Sequence, residues 1–131
     1  MPAPQAAPAP KALSAAEQAL IKLQARAQIL SALGAYCRVE FPATGQAYQD
    51  ALVAWMGPRR AALGDADRLK RRRVSANDDG AIVALEFGER SGMEVWQTQQ
   101  LGISSNERPS AADCMKLAQG IRGLSPEPAH Q

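Results

Sequence analysis

The sequence predicts an all-α fold, a bundle of four to five helices crosslinked by one disulfide. Three observations carry that prediction. Apolar residues recur at alternating spacings of three and four, the period of one helix face. Serine–x–x–acid pairs, Ser14 with Glu17 and Ser110 with Asp113, stand ahead of two such runs as helix caps. The chain has 2 cysteines, Cys37 and Cys114, which close the first stripe and open the last.

A length of 131 residues fits one domain with a single core. Apolar content of 46% and charged content of 21% are ordinary for a globular chain and argue against wholesale disorder. No apolar run approaches the roughly 18 residues that cross a bilayer. Residues 1–12 alternate alanine and proline, and "SPEPAHQ" at 125–131 is similar; both read as disordered tails around a helical domain at 13–124. No internal repeat is visible.

The first helix starts at the Ser14 cap and carries Leu20, Leu23, Ala27, Leu30, Gly34 and Cys37 on one face. It must stop before Pro42, because proline disfavours helical geometry in the residue ahead of it. A second helix from Thr44 points Tyr48, Leu52 and Trp55 inward. Gly57–Pro58 either kinks it or opens a new helix with proline in its first turn. Leu63, Ala66 and Leu69 continue an apolar face into the basic run "RLKRRR". "SANDDG" reads as a turn, with Asp78 or Asp79 as the next cap. Residues 80–101 read as helix, since Ile82, Leu85, Glu89, Met93 and Trp96 keep helical spacing; a short strand over "AIVALEF" is the alternative. The last helix follows Ser110 and carries Cys114, Leu117, Ala118 and Ile121 inward.

If the first and last helices run antiparallel, Cys37 and Cys114 meet at the same level of the bundle. A bridge there closes a loop of about 77 residues. Two free, buried, inert thiols are the alternative. A disulfide implies an oxidising compartment, of which a bacterial periplasm is the natural example. The amino terminus "MPAPQAAPAPK" lacks the basic start and apolar core of a secretory signal. It reads either as cytoplasmic or as the linker that follows a cleaved signal.

Catalysis finds little support. The one histidine, His130, lies in the carboxy-terminal tail, where nothing holds a general base against its target. Histidine triads and histidine-based zinc sites therefore lack their central residue, and two cysteines alone do not make a zinc site. Asp78 with Asp79, or Glu86 with Glu89, has the composition of an acid pair, but acids at helical spacing are usually a solvated face. "ALGDAD" and "EFGERSGM" lack the spacing and lysine of a phosphate loop. Nothing in the sequence requires a cofactor.

Charge is unevenly placed. Residues 59–73 hold seven basic and two acidic side chains, against four basic and eight acidic in 74–131. Arg68, Lys70, Arg71, Arg72 and Arg73 form the candidate interaction patch. Its plainest reading is a basic helix end that complements the helix dipole, with Asp65–Arg68 and Asp67–Arg71 pairs along the face. Docking of an acidic protein is the second reading. Nucleic-acid binding is the third, and it lacks nearby aromatic residues for stacking. "RRVS" at Arg72–Ser75 fits a basophilic kinase pattern, which is short enough to recur by chance. Trp55 and Trp96 fall on inner faces and read as core.

With Cys37, Cys114 and this helix order over residues 14–123, the chain resembles small exported helical proteins of Gram-negative bacteria with one internal disulfide. Among them it resembles periplasmic immunity proteins that protect a cell against secreted, cell-wall-degrading toxins, including those of type VI secretion. The resemblance implies a stoichiometric inhibitor without catalysis, and it transfers no functional residue. The expectation is therefore a non-enzymatic periplasmic protein that binds another protein. The alternative is a cytoplasmic helical module contacting nucleic acid or an acidic partner through Arg68–Arg73.

Overall fold

The computed structural model describes residues 11–104 and 108–124, and within them every regular element is helical. Helix α1 spans Ala15–Glu40 and at 26 residues is roughly 39 Å long. Its start is the capping box expected from sequence. Glu17 N–H donates to Ser14 Oγ at 3.1 Å, and Ser14 N–H donates to Glu17 Oε1 at 2.9 Å. Its end is Phe41, whose N–H still reaches the Cys37 carbonyl.

Phe41 alone joins α1 to α2, which spans Pro42–Met56. The second helix thus begins two residues before the expected Thr44. The proline that stops α1 suits the first turn of α2, where its missing N–H is not needed. So tight a reversal demands close packing between the two helices. A Cβ on Gly45 would lie 2.4 Å from Arg38 Cα, and one on Gly34 would lie 2.6 Å from Tyr48 Cε1. Tyr48 is fully buried in that contact and donates its hydroxyl proton to the Leu30 carbonyl.

Gly57–Arg59 forms a single 3-10 turn, and α3 follows at Arg60–Ser75. The chain reverses through 76–79, with Asn77 in the left-handed region at φ 54°. Helix α4 spans Gly80–Val95 and passes into a π-helical turn at Trp96–Gln100, which resolves the strand alternative for this stretch in favour of helix. The expected cap at its start is absent. Asp79 occupies the cap position with φ −107° and ψ 10° and makes no side-chain cap bond, while the Asp78 carboxylate is taken by Lys11 N–H and Arg73. Helix α5, Ala111–Arg122, repeats the capping box with Ser110 and Asp113.

Helix α1 lies in the middle, and its two halves face different neighbours. Toward its carboxy terminus, Leu30 and Cys37 pack with Tyr48, Leu52, Met93, Leu117 and Ile121 in the larger core. Toward its amino terminus, Ile21 packs with Leu13, Leu69 and Ile82 beneath α3 and α4. The single stripe read from sequence is the first of these faces; Ile21 belongs to the second. Trp55 and Trp96 are both core residues. Cys37 and Cys114 form the disulfide, with both residues fully buried, and join the end of α1 to the start of α5. No helix among the described residues is long and apolar enough to cross a membrane.

Candidate binding surface

The basic block does not form a free patch. Arg68 pairs with Asp65, and Arg71 pairs with Asp67 at 3.0 Å, both along the exposed face of α3. Such exposed pairs contribute little stability, but each places a carboxylate beside the cation. Lys70 Nζ crosses to Glu86 of α4 at 2.6 Å. Arg73 is a clamp. Its guanidinium donates to the Lys11 and Ala12 carbonyls at 2.6 and 3.4 Å, pairs with Asp78 at 3.1 Å, and lies 4.0 Å from Glu17. Residues 11 and 12, which the composition assigns to the tail, are held by these bonds. Among the described residues, Arg72 is the one member of the block that makes no ion pair.

Local electrostatics follow from the same contacts. The Ser14 N–H donating to Glu17 holds that carboxyl below its ordinary value, against a smaller opposing effect of desolvation, with the Ser14 side chain, Arg73 and Arg72 adding to the lowering. Burial pushes the Tyr48 phenol up, so it stays protonated and keeps its bond to Leu30.

Three of the candidate acids, Asp78, Glu86 and Glu89, are taken up in ion pairs. Glu86 is engaged by Lys70 of α3 and Glu89 by Arg26 Nε of α1 at 2.9 Å, so each carboxylate is held by a different helix. Among the described residues, no three His, Cys, Asp or Glu side chains gather as metal ligands. His130 lies outside the described residues.

Helix α4 carries the surface that the sequence reading missed. Ile82, Leu85, Glu89, Met93 and Trp96 form its inner face, as their spacing predicted. Directly opposite, a crest of exposed apolar side chains runs along the helix: Phe87 is 70% exposed, Val83 55% and Val95 48%. Ala84, Gly88 and Ser91 stand beside them, while Arg90 and Glu94, both exposed, continue the Val83–Phe87 stripe toward the end of the helix. An exposed phenylalanine beside Val83, Ala84 and Ser91 is the kind of patch that marks an interaction site.

Beside this crest, a groove of about 540 Å³ runs between α4, the first half of α1 and the end of α5. Its walls include Leu85, Met93, Trp96 and Leu124, with Lys22, Arg26 and Glu89 as the charged members. Gly88 and Gly92 open onto it. Neither has a positive φ, and a Cβ on either would meet nothing within 4 Å. Each therefore gives up about 0.8–1 kcal/mol of helix propensity relative to alanine without a packing reason inside the fold. Gly120 differs, since a Cβ there would sit 2.9 Å from Leu101 and Trp96. Two glycines four apart in a helix were the available sequence signal for this groove.

The chain matches no protein-family model, no curated protein and no solved structure.

Proposed function

We propose that the protein works without catalysis, by binding another protein on the outward face of α4. The observation that carries this reading is the exposure of Phe87, flanked by Val83 and Val95, on the side of α4 turned away from the core. Burying Val83 and Phe87 removes apolar surface from water, and a partner that also covers Arg90 and Glu94 on the same stripe must match their charges. The disulfide supports residence in an oxidising compartment, and a periplasmic location is part of the proposal. Within it, the form suggested by the two-cysteine helical layout is a stoichiometric inhibitor, an immunity protein facing a secreted toxin. Docking or nucleic-acid contact through Arg68–Arg73 is less favoured, because intrachain carboxylates accompany Arg68, Lys70, Arg71 and Arg73.

The test uses two variants as bait against envelope and secreted fractions of the source cell. Phe87→Glu places a charge on the crest at a position exposed enough to leave folding intact. Arg71→Ala/Arg72→Ala removes two exposed cations from the end of α3 and spares the Arg73 clamp. The expected outcome is a stoichiometric partner held by wild type and by the arginine variant and lost with Phe87→Glu. A partner retained by Phe87→Glu and lost with the arginine variant would overturn the reading.

A further inference from the structure

We propose that the groove between α1, α4 and the end of α5 is a binding site for an apolar molecule with one anionic head group, an amphiphile of the fatty-acid kind. The site adjoins the α4 crest but does not depend on protein docking there.

Size comes first. At about 540 Å³ the groove falls within the range of small-molecule sites. What keeps it open is the absence of side chains at Gly88 and Gly92, whose Cβ positions face empty space. Any larger residue at either position would extend into the groove, so the two glycines set its depth.

Charge sets the ligand class. Lys22 and Arg26 are one helical turn apart on α1 and line the same wall. Arg26 is only 8% exposed and holds Glu89 through Nε at 2.9 Å. An ion pair this buried contributes little stability beyond what a well-packed apolar pair would give. It does place a guanidinium in the wall of the groove, already oriented by Glu89. Lys22 makes no ion pair among the described residues. Two cations against one carboxylate leave a single positive charge in excess. That balance suits a monoanion and disfavours a cation or a dianion.

The remaining wall selects an apolar body. Leu85, Met93, Trp96 and Leu124 offer no charge, and Met93 adapts to irregular shapes. An alkyl chain along α4, with its head group beside Lys22 and Arg26, satisfies both halves of the groove.

Dodecanoate, kept below its critical micelle concentration, is the probe, and dodecyltrimethylammonium is the control with the same chain and opposite charge. Isothermal titration gives stoichiometry and affinity, and tryptophan fluorescence in a Trp55→Phe background places the ligand, because Trp96 lines the groove and Trp55 does not. The full-length protein is expected to bind one dodecanoate, about tenfold or more tighter than the ammonium surfactant. Gly88→Leu fills open space and strengthens the helix, so it folds, and it is expected to lose binding by about tenfold or more. Lys22→Glu is expected to reverse the preference between the two head groups. Absence of saturable dodecanoate binding, equal affinity for both surfactants, or wild-type binding by Gly88→Leu would each overturn the proposal. Because none of these readouts involves Phe87 or a captured protein, the site stands or falls apart from the docking surface.

Discussion

Replacing Cys37 and Cys114 together by alanine removes the crosslink while keeping both positions apolar. The magnitude follows from the loop. The bridge joins residues 77 apart in sequence. The chain-entropy relation gives about 15 cal/mol/K for a loop of that length, or about 4.5 kcal/mol at 25 °C. Helix α5 packs mainly on α2, so the bridge is also the principal tie between α5 and the end of α1. Domains of this size are stable by about 5–15 kcal/mol, so the double variant should retain only part of its stability at 25 °C.

Urea denaturation followed by far-UV circular dichroism measures the difference directly. The expected result is a loss of about 4–5 kcal/mol with a larger m-value, since the uncrosslinked denatured chain exposes more surface. Both sulfurs are fully buried, so dithiothreitol should reduce the native protein only as fast as it unfolds. A loss below about 2 kcal/mol would refute the reasoning. It would mean that the denatured state is already compact, and the fold would then have no need of an oxidising compartment.

Two glycine-to-alanine changes should act in opposite directions. Gly34→Ala drives a Cβ to 2.6 Å from the buried Tyr48 ring and should cost about 1–3 kcal/mol, whereas Gly88→Ala meets open space and should gain about 0.5–1 kcal/mol, both read by urea melts. Arg26 and Glu89 have side chains only 10% and 11% exposed, so Arg26→Met or Glu89→Gln alone should cost about 3 kcal/mol or more, while Arg26→Met/Glu89→Leu recovers most of it in a double-mutant cycle. Glu17 has a lowered pKa in the folded state, so its contribution is present above its unfolded value of 4.5 and is lost as pH falls below that value. The loss on acidification should be smaller in Glu17→Gln than in wild type when thermal midpoints are compared between pH 6 and pH 3.

Features that rest on near neighbours in sequence were legible. Ser14 with Glu17 and Ser110 with Asp113 cap their helices as read, because a capping box is complete within four residues. The Cys37–Cys114 pairing was legible because both ends of the reasoning were helix stripes. Asp79 fails as a cap for a reason no local reading contains: Arg73 and the Lys11 amide fix Asp78, and the turn enters α4 without extended geometry. In the basic block the Asp65–Arg68 and Asp67–Arg71 pairs were legible from helical spacing, whereas Lys70 finds Glu86, and Arg73 finds Glu17, only through tertiary packing. The α4 crest was hidden by composition. "AIVALEF" is apolar nearly throughout, so its outward members appear only once the helix and its inner face are fixed.

The two candidate docking surfaces imply different responses to salt, and that difference decides between them. Association through the α3 block would be a long-range electrostatic process, steered at low ionic strength and weakened as the Debye length shrinks from about 30 Å at 0.01 M to about 8 Å at 0.15 M. Association through Phe87, Val83 and Val95 would be short-range, driven by apolar burial, with an ordinary association rate of about 10⁵–10⁶ M⁻¹s⁻¹. Ion pairing within α3 and across to α4 already satisfies most of the local cations, so approach of a polyanion must compete with Asp65, Asp67, Asp78 and Glu86 for them. The α4 crest faces no such competition. Surface plasmon resonance of the captured partner between 0.05 and 0.5 M salt should therefore show an affinity that changes by less than about threefold. A fall of about a hundredfold or more over that range would place the interface on the basic helix end instead.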